Sequence, residues 1–204
     1  MIEATTPAAV WDQLLAGNAR FADDSVERPN SDRNRREELR GGQAPVAAIL
    51  SCSDSRVPVE MLFDAGLGDI FVIRTAGGCV DAAVSGSLDF AVETLGVKLV
   101  IVLSHEACGA IGAAIKAVDE AEVPLGLQRV FVEKIAPSVI EAKAHGRAER
   151  SEVEKAHAGI TAEHLVDRIP ALQAGVKEGT LGIVAARYRL EDGRVETVSE
   201  HLGR

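Results

Sequence analysis

The chain has 204 residues, 47% of them hydrophobic and 26% charged, which is enough apolar material for one well-formed core in an ordinary globular domain. A formal charge of −9 argues against nucleic acid, which needs clustered Lys and Arg, and gives no reason to expect an anionic membrane face, so neither is expected as a partner. The strongest apolar run, Leu99 to Leu103, falls far short of the roughly 18 residues that a membrane-spanning helix needs.

Met1 to Thr6 includes Glu3 and lacks a basic stretch followed by an apolar one, so no signal peptide is read and a cytoplasmic location is expected. Pro7 to Phe21 carries Val10, Trp11, Leu14, Leu15 and Phe21 at helical spacing and predicts an amphipathic first helix. Asp23 to Gln43 is dominated by charge and reads as an exposed connector with a short helix. Residues 1–43 thus form an N-terminal helical arm and 44–204 an α/β core, together one domain.

Val46 to Leu50, Ile70 to Ile73, Leu99 to Leu103 and Leu181 to Leu190 are continuous apolar runs, which suit strands buried on both faces of a parallel sheet. Helices are expected over Val59 to Asp64, Ser85 to Leu95, Ala110 to Val118, Gln128 to Ala144 and Val153 to Glu178. The turn Glu191-Asp192-Gly193 leads to a polar strand near Val195 to Val198, a hairpin signal. Strand and helix in alternation predict an α/β fold: a largely parallel sheet of four to five strands flanked by helices, closed by an antiparallel C-terminal strand.

Ser51-Cys52-Ser53-Asp54-Ser55-Arg56-Val57 follows the first strand, and Ser104-His105-Glu106-Ala107-Cys108-Gly109 follows the third. Ligands in open α/β sheets sit beyond the carboxyl ends of the strands, so Cys52 and the His105/Cys108 pair can converge there. Two thiolates and an imidazole make a three-ligand set that leaves a fourth zinc position for water. The competing reading is that each cysteine is a small buried hydrophobe. An odd total of three cysteines argues against a disulfide framework, and Cys79, without a ligand-spaced neighbour, reads as an inert thiol. Asp54 and Arg56 are two apart and point the same way in an extended chain. They form either a loop-stabilising ion pair or a tether that makes Asp54 the acceptor for a hydrogen of zinc-held water. Two thiolates cancel the formal charge of Zn²⁺, so such a site acidifies water less than three neutral imidazoles do.

With these residues assembled, the sequence resembles the β-class carbonic anhydrases, on Cys-Ser-Asp-Ser-Arg-Val at 52–57, His-x-x-Cys-Gly at 105–109 and the middle segment Gly68 to Gly77. The resemblance covers nearly the whole chain. It implies zinc-dependent, reversible hydration of carbon dioxide to bicarbonate and a proton, by hydroxide generated at one zinc ion per chain on Cys52, His105 and Cys108. It implies that Asp54 and Arg56 are the catalytic dyad, with Asp54 a conditional fourth ligand in a closed state. It further implies that Gln43 and the Gly109 N–H contact substrate, that Phe71 and Ala76 line an apolar pocket, and that the protein is a homodimer or a multiple of dimers. Regulated members carry Trp where this chain has Ile49, beside an Arg and a Tyr matched by Arg74 and Tyr188, so the resemblance does not imply bicarbonate regulation. Rival readings are hydrolysis of carbonyl sulfide or carbon disulfide at the same site, and a zinc-binding regulatory protein without turnover. Glu106, His145, His157, His164 and His201 receive no role, and the histidines read as surface residues.

Overall fold

The computed structural model describes residues 5–203. Five strands, β1 (Ala47–Cys52), β2 (Ile70–Thr75), β3 (Leu99–His105), β4 (Gly182–Tyr188) and β5 (Val195–His201), form one sheet of order β2-β1-β3-β4-β5. The first four run parallel and β5 returns antiparallel to β4. Every position of β1, β3 and β4 is buried, as runs apolar on both faces require.

The helices are α1 (Pro7–Ala22), α2 (Arg33–Glu38), α3 (Val59–Leu62), α4 (Ala82–Glu93), α5 (Gly109–Glu120), α6 (Arg129–Ala144), α7 (Arg150–Arg168) and α8 (Pro170–Glu178). Strand alternation sorts the core into two layers. Ala47, Ile49, Leu99, Ile101 and Leu103 pack with Val10, Trp11, Leu14 and Leu62 from α1 and α3. Ala48, Leu50, Val100 and Val102 pack with Val84, Leu88, Ala158, Leu165 and Leu172 from α4, α7 and α8. A third cluster, between α5, α6 and α7, reaches Cys52 and Cys108. Among the described residues no helix is long and apolar enough to cross a membrane.

α1 starts where Thr6 accepts a hydrogen bond from the Ala9 N–H and Pro7 takes the first helical position. Its apolar stripe lies on the chain's own sheet: Trp11 is only 2% exposed and meets Phe63 edge-on at 6.2 Å. Trp11 is thus buried within its own chain, while Phe21 stays half-buried. Buried Asn18 locks the helix in place, donating to the carbonyls of Leu62 and Gly193 and accepting from the Val195 N–H. Gly17 makes this docking possible, since a Cβ there would overlap the Phe63 carbonyl. Gly17→Ala is expected to cost about 1–3 kcal/mol through overpacking. The measurement is the denaturant midpoint, and an unchanged midpoint contradicts the α1–Phe63 contact.

Two predicted boundaries are corrected. The helix expected from Val153 to Glu178 is two helices, because Ile169 is extended (φ −110°, ψ 106°) ahead of Pro170, which opens α8. A residue before proline is driven out of the helical region by clash with the proline ring. α4 starts at Ala82 rather than Ser85, since Asp81 accepts from the Val84 N–H at 2.9 Å and caps it.

Candidate metal centre

The chain leaves β1 towards β2 on one side of the sheet and leaves β3 towards β4 on the other, so the strand order reverses between β1 and β3. A crevice opens at such a switch point beyond the carboxyl ends of the strands. Cys52 ends β1 and His105 ends β3. After His105 the chain turns sharply through Ala107, which takes the left-handed conformation (φ 56°) that alanine seldom adopts. That turn brings Cys108 back over the strand ends and starts α5. One donor atom from each of Cys52, His105 and Cys108 lies within 4.8 Å of the others.

His105 is fully buried, and its Nδ1 sits 2.9 Å from the Glu106 carbonyl, which accepts the ring N–H. The lone pair is then on Nε2, which has no partner. An unpartnered buried imidazole nitrogen beside two sulfurs is costly unless a cation fills the space. The sulfurs point the same way. The backbone N–H groups of Asp54 and Gly77 donate to Cys52 Sγ at 3.4 and 3.3 Å. The contact with the Cys108 thiol, helped by His105 and these N–H groups, draws Cys52 down against the cost of burial. The same contact and burial push Cys108 up, although the N–H groups of Ile111 and Ala110 at the start of α5 face its sulfur. Two ionised thiols side by side repel unless a cation sits between them. A soft donor set of two thiolates and an imidazole fits zinc.

Arg56 grips Asp54 with two prongs, Nε to Oδ1 at 2.9 Å and Nη2 to Oδ2 at 2.7 Å, and its backbone N–H adds a third bond at 2.9 Å. These bonds hold the Asp54 carboxyl well below the usual carboxylate range, so Asp54 only accepts hydrogen bonds. Its Oδ2 is 3.9 Å from His105 Nε2, at the edge of the cluster. Arg74 braces the loop from the other side, donating to the carbonyls of Cys52 and Asp54 at 3.0 and 2.6 Å.

Ala76 opens the tight turn after β2, next to the Gly77 N–H that meets Cys52, and Gly109 is the first residue of α5, directly after Cys108. Both lie at the cluster. Phe71 and Gln43 do not. Phe71 is in register with Ala48 and packs on Phe90, whereas Thr75 is in register with Cys52. At roughly 3.3 Å per residue that leaves Phe71 about 13 Å down the strand. Gln43 is exposed and precedes β1, at the end opposite Cys52. Cys79 is half-buried and burial pushes its thiol up to about 11, which disfavours the thiolate.

His157 is corrected: it is buried, not on the surface. Its Nε2 lies 3.0 Å from the Gly77 carbonyl and its Nδ1 3.0 Å from Ser138 Oγ, and burial lowers its pKa. It fixes the turn whose N–H supports Cys52. Glu106 also gains a place, its carboxylate accepting from the N–H groups of Leu190 and Glu191 to tie the site to the β4–β5 turn. No residue pattern in the sequence signals either contact, since each joins positions some 80 residues apart.

The sequence profile of the carbonic anhydrase family matches residues 47–195. A carbonic anhydrase of Mycolicibacterium smegmatis is 44% identical over 98% of this chain and 96% of its own length. Carbonic anhydrase 2 of Mycobacterium tuberculosis is 41% identical over the same shares. Among solved structures, a tetrameric β-carbonic anhydrase from Sordaria macrospora matches with a TM-score of 0.70 at 21% identity, covering 92% of this chain and 95% of that one, a likeness of fold.

Proposed function

The chain belongs to the β-class carbonic anhydrases, and from that premise we propose that one zinc ion, held by Cys52, His105 and Cys108, serves its reversible hydration of carbon dioxide to bicarbonate and a proton. The observation that carries the zinc assignment is the buried, unpartnered Nε2 of His105 beside two sulfurs. Bound zinc would supply Lewis acidity, making hydroxide available from water at moderate pH.

The protein's own groups do the rest. Asp54, an obligate acceptor, takes the hydrogen bond of the attacking oxygen's O–H and so turns a lone pair towards carbon. Arg56 keeps that carboxylate still. The Gly109 N–H, one of the donors left without an intrahelical partner at the start of α5, faces substrate oxygen. Ala76 offers an apolar wall to uncharged carbon dioxide. The separation of Gln43 and Phe71 from their own chain's cluster supports a homodimer or a multiple of dimers, in which each site receives the partner's Gln43 and the partner's Phe71; the tetrameric relative of the same fold agrees with this. Asp54 becomes a fourth ligand only by releasing Arg56, since three hydrogen bonds hold it off.

The test combines zinc analysis with stopped-flow hydration on one sample. About one zinc ion per chain is expected. Water at a three-imidazole carbonic anhydrase site has a pKa of about 7. Two thiolates neutralise more of the metal's charge, so activity should rise on the alkaline side. A profile flat from about pH 6 upwards contradicts the charge argument, and metal-loaded protein that fails to hydrate carbon dioxide in alkaline buffer overturns the function.

A further inference from the structure

Cys108 is presented by a strained turn, and two arginines from separate elements grip its consecutive carbonyls. Arg56 Nη2 donates to the Ala107 carbonyl at 3.2 Å. Arg150, at the start of α7, donates from Nη2 to the Cys108 carbonyl at 2.7 Å. Ala107 sits between them in the left-handed region, where an alanine needs outside restraint to remain. Arg150 is itself held. Its Nε donates to Glu154 at 3.3 Å, and Glu154, 1% exposed, accepts from Arg187 at 2.9 Å. Arg187 lies on β4 in register with Ser104, the residue before His105, and its Nη1 donates to Glu196 on β5. The Arg150 guanidinium also lies close against the first turn of α5. A Cβ on Gly112 would come within 3.1 Å of Nη2 and 3.4 Å of Cζ, so a glycine leaves the room it occupies.

We propose that Arg150 is a positioning residue for the metal centre: by holding the Cys108 carbonyl against the buried Glu154–Arg187 pair, it keeps the Ala107–Cys108 turn in the shape that aims Cys108 Sγ at Cys52 and His105. The inference rests on the reading of Cys108 as a metal ligand. Geometry is what Arg150 supplies, because a half-exposed guanidinium has its charge screened by solvent. Arg150 does not touch substrate. Its loss acts through Cys108, as the loss of outer partners of metal ligands does elsewhere, at about 10- to 100-fold in metal affinity.

The experiment compares wild type, Arg150→Met and Arg150→Lys by two readouts, zinc affinity from chelator competition and the visible spectrum of the cobalt(II)-loaded protein. Melting of the metal-free forms is followed alongside. Glu154 keeps Arg187 in both variants, so its carboxylate is not stranded. Arg150→Met is expected to weaken zinc binding about tenfold or more and to shift the sulfur-to-cobalt and ligand-field bands. Arg150→Lys should recover part of the affinity, because an ammonium reaches one acceptor but lacks the guanidinium fork. Wild-type affinity and an unchanged spectrum in Arg150→Met overturn the proposal. So does a lowered melting temperature with an unchanged spectrum in the folded fraction, which marks a merely structural role. Failure of wild type to bind either metal sinks the metal reading itself.

Discussion

Cys108→Ser is expected to leave the protein folded, free of zinc and nearly inactive. The replacement is close to isosteric at a buried position, so the cluster of Ala110, Ile111, Ile135 and Val139 around it keeps its packing. What changes is the donor. A thiol ionises when a metal displaces its proton, whereas a serine hydroxyl does not do so at ordinary pH, and zinc prefers thiolate to a neutral alcohol. The remaining Cys52 and His105 make two ligands, too few for a catalytic zinc. Loss of the ion removes several kcal/mol of transition-state stabilisation, at 1.36 kcal/mol per tenfold, so turnover should fall by about a thousandfold or more. Cys79→Ser is the control. Its thiol is half-buried and pushed up to about 11, outside the cluster, and this variant should keep both zinc and activity. Metal analysis and stopped-flow hydration on both proteins decide the matter, and stoichiometric zinc with normal turnover in Cys108→Ser removes Cys108 from the site.

The residues of this prediction were legible in the sequence because their information is local. Apolar runs fix where β1 and β3 end, and each motif begins at such an end, so a strand order needs only to bring β1 beside β3 for Cys52 to meet His105. Asp54 and Arg56 are readable for the same reason, being two residues apart. Contacts closed by the fold over long separations were hidden. Arg150 lies between two predicted helices, and its partner is a backbone carbonyl 42 residues earlier, which leaves no trace in residue type. His157 is a single histidine on a long helix, and it is buried by contacts with Ser138 on α6 and with the turn after β2, which the fold closes over long separations. Gln43 and Phe71 show the converse. The resemblance gives them roles in the pocket, yet β1 and β2 carry them away from their own cluster, and the proposal that a second copy supplies them rests on that separation. The break at Ile169 was readable from Pro170; the continuous helical pattern on both sides of it concealed the stop.

Arg56→Ala is expected to keep its zinc and lose most of its turnover. The three bonds from Arg56 to Asp54 are the carboxylate's only hydrogen bonds among the described residues, so removing the side chain leaves a single backbone N–H to hold it. Freed, the carboxylate rotates about its side-chain bonds. A catalytic group displaced by about 1 Å costs on the order of a hundredfold in rate. The Ala107 carbonyl also loses its guanidinium partner, but Arg150 still holds the next carbonyl, so the Cys108 turn and the metal remain. The effect should therefore fall on kcat, with zinc content unchanged. Arg56→Lys should recover little, because a single ammonium cannot reproduce a two-pronged pair. Asp54→Asn should resemble Arg56→Ala, since an amide can present an N–H where an acceptor is required. If Arg56→Ala turns over at the wild-type rate, Arg56 is an ordinary loop ion pair and Asp54 does not need its tether. If it loses zinc as well, the arginine acts on the metal cluster through Ala107 rather than on the nucleophile through Asp54.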